Sequence, residues 1–270
     1  MVRKIVNVIV LAFLIHAQTA YAGSTGSEEL KGKSIGTANE CFEGFSRAMF
    51  KFNHTLDGAL FEPVAKGYRS LPVILRKGTG NVVNNLRSLL TLTNNVLQGD
   101  FRQAGNTAGR FAINTTVGVL GIFDPAAALG LEAGGKEDFG QTLGVWGTNS
   151  GCYFVLPILG PTTSRDAIGL VGNVFLDPVF QITHDTEISN GSFPGNGSYS
   201  EHNYYFYRTT GAVDFRAKNI ESFDSLEENS IDLYASVKSL YLQDRSKKIS
   251  NKKSTVETQD DSDWEEIDSN

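Results

Sequence analysis

Residues 42–63 read FEGFSRAMFKFNHTLDGALFEP. Phe42, Phe45, Met49, Phe52, Leu56 and Leu60 recur at intervals of three or four, which is one face of an α-helix, and Pro63 is expected to close it. Phe50 and Phe61 fall off this stripe, so the apolar arc is wider than a surface helix requires. Two environments satisfy such an arc: a core that buries the helix on two sides, or protein on one side and lipid on another. The second places Phe45, Met49, Phe50 and Phe52 toward a membrane.

Working outward, a second helix is expected after Pro72 and Gly80, with Val82, Val83, Leu86, Leu89, Leu90, Val96 and Leu97 as its apolar set and Asn81, Asn84, Asn85, Asn94 and Asn95 around it. Asn is a poor interior helix former, so this helix should break near Thr93-Asn94-Asn95. Gly99-Asp100 then opens a third, FRQAGNTAGRFAINTTVG, where Gly105 and Gly109 form a small-xxx-small pair that admits a second backbone. From Gly109 to Gly172 there are 13 glycines in 64 residues. That density predicts turns and short helices lining or capping a cavity, and Pro157 argues against a central strand over Phe154 to Leu159. Helical periodicity returns after a polar loop at 189–200. It covers Tyr204 to Thr210, then Val213, Ala217, Ile220 and Phe223, and last the stretch IDLYASVKSLYLQDRSKK; the tyrosines of 203–207 and of this last stretch suit a boundary, either a protein interface or a headgroup layer. The fold class expected is all-α.

The N-terminus has Arg3 and Lys4 before the apolar run Ile5 to Ile15, then Ala20-Tyr21-Ala22, the pattern of a secretory signal peptide cleaved after Ala22. Residues 23–40 read as a flexible leader, 41–245 as one helical domain, and 246–270 as a disordered tail, basic first and then acidic. No later stretch approaches the roughly 20 apolar residues of a spanning helix. The cysteines are Cys41 and Cys152. A bridge and two buried free thiols are both open for an exported chain, and neither follows the Leu-x-(Gly/Ala) pattern of a lipoprotein cleavage site. The net charge of −6 supplies no nucleic-acid footprint. Motifs for a hydrolase elbow, a zinc protease or a dinucleotide fold are missing. His184, Asp185 and Glu187 read as solvated surface, so no catalytic residue, metal or cofactor is expected.

FEGFSRAMFKFNHTLD, PVAKGYRSLPVILRKGTGNVVNNL, LTNNVLQGD, GRFAINTTVGVLGIFD, EDFGQTLGVWG, YFVLPILGPTTSRDAIG and SIDLYASVKSLYLQDR follow in order over about Cys41 to Arg245. In that order they resemble the VacJ/MlaA family of Gram-negative outer-membrane proteins. The resemblance implies a ring of amphipathic helices around a channel, in the inner leaflet of the outer membrane and on its periplasmic side. It implies removal of misplaced phospholipids from the outer leaflet to a periplasmic carrier of the MlaC type, often beside a trimeric porin. The alternatives are a soluble periplasmic lipid carrier or a porin-associated adaptor. A gating element is implied at Phe52, Asn53 and His54. Channel or structural roles are implied for Arg47, Asp57, Arg110, Asn114, Asp124, Asp138, Phe139, Gly140, Trp146, Gly160, Pro161, Arg165 and Asp166. This chain departs from the family pattern at Ser46-Arg47, at Gly151-Cys152-Tyr153, at Thr162, and in lacking the lipoprotein cleavage site.

Overall fold

The computed structural model describes residues 38–184 and 201–250. The signal peptide, the leader up to residue 37, the loop at 189–200 and the acidic end of the tail lie outside them. Helices dominate, and a small three-stranded sheet accompanies them.

The sheet is built from β1 (Asn39–Glu40), β2 (Cys152–Leu156) and β3 (Gly160–Thr163) in the order β1-β2-β3. β2 pairs parallel with β1 and antiparallel with β3, with Tyr153 opposite Thr163 and Leu156 opposite Gly160. A central strand therefore occupies the stretch expected to lack one. Pro157 does not obstruct it, because β2 ends one residue earlier and the proline's missing donor falls in the turn. Tyr153 and Val155 point inward and are buried. A disulfide joins Cys41 to Cys152. It bolts the end of the expected leader, now a strand, to the sheet.

α1 (Glu43–Leu56) follows the expected stripe, but Pro63 does not close it. The chain continues through a π-helical turn at Asp57–Phe61 into α2 (Glu62–Arg69), with Pro63 in its first turn. The wider turn accommodates a residue without an N–H. α3 spans Val73–Leu97, starting directly after Pro72 and running unbroken through Asn94 and Asn95. Both side chains are buried and bonded: Asn94 donates to the Leu90 carbonyl (2.9 Å) and accepts from the Thr142 hydroxyl (2.7 Å), while Asn95 donates to the Thr107 hydroxyl (3.2 Å). Packing overrides their weak helix preference.

α4 (Phe101–Thr116) starts at Asp100, whose carboxylate accepts from the Gln103 N–H at 3.0 Å. A Cβ on Gly105 or Gly109 would meet nothing, so the close backbone approach expected there is not made. It is made between α6 (Phe139–Val145) and α7 (Ser164–Leu176), where a Cβ on Gly169 would fall 2.4 Å from the Gly140 nitrogen. α5 (Pro125–Ala128) is one short turn. α8 (Pro178–His184), α9 (Glu201–Lys218), α10 (Ile220–Asn229) and α11 (Leu233–Ile249) complete the order. α11 runs four residues into the expected tail. α4 packs along α3, α9 lies on α2 and α3, and α11 packs on α6 and β3.

Among the described residues, buried polar and charged side chains outnumber buried apolar ones, while many large apolar side chains are exposed. For a water-soluble domain that distribution is inverted.

Candidate functional site

α3 carries both halves of the site. Its N-terminal turn presents Val73, Ile74 and Leu75, all more than half exposed. Farther along, Asn81, Asn84, Asn85, Arg87, Ser88 and Thr91 line a cavity of about 200 Å³ whose other walls are Thr107, Arg110, Phe111, Asn114 and Asp124, and residues 133–136 of the Gly-rich segment. The expectation that Gly-rich turns cap a cavity holds at Gly134 and Gly135.

The cavity is polar and unevenly charged. Arg110 donates to Asp124 at 2.7 Å and also bonds the Leu131 carbonyl, and Asn114 donates to the other Asp124 oxygen at 2.8 Å. Burial opposes the Asp124 charge, but these two donors outweigh it and hold the carboxyl below its ordinary value. Arg87 has no such partner. Its Nε is shut off from solvent and bonded to nothing, and burial lowers its pKa. Lys136 is lowered as well, first by burial and then by the charges of Arg87 and Lys218.

Beside the cavity the chain turns at residues 117–123. Val119 and Leu120 have φ of 53° and 58°, and Ile158, in the β2–β3 turn, has 66°. These are the only non-glycine residues with positive φ among the described ones, and all three are large, apolar and exposed. A β-branched side chain in the left-handed region costs about 1–3 kcal/mol, and nothing in water rewards it. The 117–123 turn reaches the cavity wall directly, since Asn81 donates to the Ile122 carbonyl at 3.0 Å.

The family model described as MlaA lipoprotein matches residues 38–248. The chain belongs to this family. A Haemophilus influenzae protein named intermembrane phospholipid transport system lipoprotein MlaA is 31% identical over 82% of this chain and 83% of its own length. The Escherichia coli protein of the same name is 31% identical over 74% of each. An uncharacterized Rickettsia prowazekii protein is 35% identical, but the match covers 53% of this chain and 58% of that one. A chain solved in work on the structural basis for maintenance of bacterial outer membrane lipid asymmetry superposes with a TM-score of 0.63 at 28% identity, over 78% of this chain and 99% of its own.

The residues singled out through the MlaA resemblance separate into groups. Arg110, Asn114 and Asp124 belong to the cavity. Asp138, Gly140, Arg165 and Asp166 meet instead in a buried charged cluster with Arg245 of α11. Arg245 reaches Asp138 at 2.6 Å and Asp166 at 2.8 Å, Arg165 reaches Asp166 at 2.9 Å, and the Tyr241 hydroxyl donates to Asp166 at 2.6 Å. Gly140 makes room for it, because a Cβ there would sit 2.7 Å from both Arg245 and Asp166. Burial disfavours the charges of Asp138 and Asp166, yet Arg245 holds both carboxyls below their ordinary range. Arg47 joins Glu43 to Asp232 and stacks over Tyr234 at 4.4 Å. Asp57 takes both forks of Arg216. Phe139 meets Trp146 edge to face, and Trp146 donates to the Leu97 carbonyl at 3.0 Å. Gly160 has φ of 80° at the turn into β3, and Pro161 pairs with Val155.

The four residues expected to face a membrane divide. Phe45 and Phe52 are exposed. Met49 and Phe50 instead pack against Tyr153, Val155 and Tyr234, because the side of α1 that carries these two covers the sheet and splits the expected stripe. In the expected gating element, Asn53 donates to the Leu156 carbonyl at 2.8 Å and accepts from the Ile158 N–H at 2.7 Å. It clamps the β2–β3 turn to α1, while His54 lies 3.3 Å from Glu227. The tyrosines expected at a boundary are mostly interior: Tyr204, Tyr207 and Tyr234 are buried, and Tyr205 is exposed.

Sequence reasoning missed Arg87 and Lys136. Arg87 shares the helical spacing of Asn84, Ser88 and Thr91, a polar face on a helix whose other side is apolar. A lone arginine on such a face reads as solvated, and Lys136 follows two glycines in a loop with no periodicity.

Proposed function

We propose that this chain moves phospholipids across the periplasmic face of the outer membrane, taking misplaced lipid from the outer leaflet and passing it to a periplasmic carrier of the MlaC type, with a trimeric porin as a second partner. The observation that carries the reading is the juxtaposition on one helix of exposed apolar residues and a polar, cationic cavity. A lipid needs both. Exposing its tails costs about 0.8 kcal/mol per CH₂, and its headgroup cannot cross hydrocarbon unpaired. The left-handed apolar tips at Val119, Leu120 and Ile158 gain a purpose if they rest in lipid. No covalent step is needed, so the cavity acts by binding, and Asn53 sets the position of the Ile158 tip as the gating element.

The relatives are named lipoproteins. Here Cys41 and Cys152 bond to each other, which leaves neither thiol for a thioether-linked lipid. In this reading exposed apolar side chains such as Phe45, Phe52 and Val73–Leu75 contribute to membrane attachment. No helix among the described residues is long and apolar enough to cross a membrane. Deleting the gene should raise phospholipid at the cell surface, measured with a membrane-impermeant amine label, and the wild-type chain should reverse the rise. Unchanged surface phospholipid would remove the proposal, and recovery of the chain solely from the soluble periplasmic fraction would point to a carrier.

A further inference from the structure

We propose that the cavity between α3 and α4 is a seat for the phosphate of a phosphoester, with Arg87 and Lys136 as its cationic ligands. The inference rests on the transport reading for its source, a lipid headgroup, but its chemistry is carried by the charge balance of the cavity. The walls hold three cations, Arg87, Arg110 and Lys136, against the single carboxylate of Asp124. That carboxylate is already engaged by Arg110 and Asn114. Arg87 and Lys136 are left facing the same space with no carboxylate bonded to either; Asp138 and Asp177 act on Arg87, and Asp214 on Lys136, only through space.

Elsewhere among the described residues a buried arginine holds a carboxylate: Arg165 has Asp166, Arg216 has Asp57, and Arg245 has both Asp138 and Asp166. Arg87 breaks that pattern: it lines the cavity and has no carboxylate bonded to it, and its Nε, closed to solvent, bonds nothing. An occupant of the cavity cannot reach the closed Nε and meets Arg87 through the terminal nitrogens of its guanidinium, where a charge with no bonded counter-charge favours an anion that supplies oxygen. A guanidinium offers paired donors that match a phosphate edge, and a lysine from a separate segment adds a point charge. Asn84 and Thr91 add neutral donors to the same lining.

Size and setting select which part of a lipid enters. A volume of about 200 Å³ is below the roughly 300–1,000 Å³ of pockets that take a drug-sized ligand. A headgroup phosphate fits there and two acyl chains do not. The chains have a place outside, because lining residue Asn81 holds the turn that exposes Ile122 and Phe123.

The test is isothermal titration of the mature chain in nonionic detergent with three probes: dihexanoylphosphatidylglycerol, glycerol 3-phosphate, and dihexanoylglycerol, which has the tails but no phosphate. The phospholipid should bind at least tenfold more tightly than dihexanoylglycerol, and Arg87→Gln and Lys136→Gln should each weaken it at least tenfold. Without ligand, Arg87→Gln should melt no lower than wild type, since it removes an unpaired buried charge. A lower melting temperature would show that Arg87 supports the empty fold, and would overturn the proposal. Equal phospholipid binding by wild type and both variants would also overturn it and leave the transport reading standing. Glycerol 3-phosphate binding as tightly as the phospholipid would support the seat and assign it to soluble phosphoesters. Tight, Arg87-dependent phospholipid binding without a surface-lipid defect in the deletion strain would support the seat and sink transport alone.

Discussion

Two arginine-bearing regions of this chain treat that side chain oppositely. Around Asp166, Arg165 and Arg245 meet two carboxylates and a tyrosine hydroxyl. In the α3–α4 cavity Arg87 meets none. The first arrangement joins β3, α6, α7 and α11, and its charges cancel inside the protein. The second leaves charge for something from outside to cancel. A buried charge with partners marks architecture, and one without partners marks a binding site.

The sharpest way to break this comparison is to unpair the cluster deliberately. Asp166→Asn leaves Arg165 and Arg245 facing a neutral group, and losing one partner of a buried pair costs roughly 3–5 kcal/mol. At roughly 2–4 °C per kcal/mol for a chain of this size, the melting temperature should fall by about 10 °C. A fall under about 3 °C would mean that water already solvates the cluster, and the contrast with Arg87 would collapse.

Parts of this plan were legible in the residues and parts were not, for separable reasons. The α1 stripe was readable because periodicity is local. Asn94 and Asn95 misled because their partners, Thr142 and Thr107, stand 48 and 12 positions away, beyond any local window. β2 was hidden because Phe154 and Leu156 are half-buried on the face opposite Tyr153 and Val155, so the alternation of a half-buried strand is erased. The boundary role of the tyrosines failed because Tyr234 and Tyr241 turn inward to Glu40 and Asp166. Arg110, Asn114 and Asp124 were found through family resemblance, while Arg87 needed a three-dimensional account of which acids were already taken.

The next largest effect comes from the covalent tie between sheet and leader. Cys41 and Cys152 close a loop with a sequence separation of 111, and opening a native bridge of this kind typically costs about 2–5 kcal/mol. The paired substitution Cys41→Ser with Cys152→Ser should lower the unfolding free energy, read from a denaturant titration, by an amount in that range. Added dithiothreitol should reproduce the loss in the wild type and do nothing further to the variant. Equal midpoints with and without reductant would show that the sheet holds β1 unaided.

Acid sharpens the comparison within two adjacent residues. Burial, its opposition outweighed by Arg245, leaves Asp138 below its ordinary value, whereas burial raises Glu137, whose Oε2 accepts from Gln98 at 2.9 Å. A depressed folded pKa means that the unfolded chain takes up the proton first as pH falls. The stability Asp138 contributes is therefore complete above its unfolded pKa of about 3.9 and is lost as pH drops from there toward its folded value. Glu137 has the opposite sign, since its folded form binds the proton more readily and its ionisation weakens the fold as pH rises through the raised value. Between about pH 4 and pH 2, the unfolding free energy from urea titrations should fall with pH, and Asp138→Asn should flatten that slope by up to about 1.4 kcal/mol per pH unit. An unchanged slope would show that Asp138 is not coupled to folding.

The smallest effect concerns a polar side chain that is neither core nor cavity. Asn53 uses both ends of its amide on the β2–β3 turn, donating to Leu156 and accepting from the Ile158 N–H. Each such bond is worth only about 0.5–1.5 kcal/mol net, and both lie near the surface, so Asn53→Ala should cost about 1 kcal/mol and leave the melting temperature within a few degrees. The local effect should be larger than the global one. Ile158 is held at φ 66° with its side chain exposed, a conformation it has little reason to keep once its N–H loses an acceptor. Hydrogen exchange at that amide should speed up about tenfold in Asn53→Ala, while amides of the Asp166 cluster keep their wild-type rates. Asn53→Asp retains the acceptor for Ile158 and sets a carboxylate against the Leu156 carbonyl, so protection at Ile158 should survive even as overall stability drops slightly. If Ile158 exchanges at the same rate in all three proteins, the turn keeps its shape without Asn53, and the gate must be sought elsewhere on the chain.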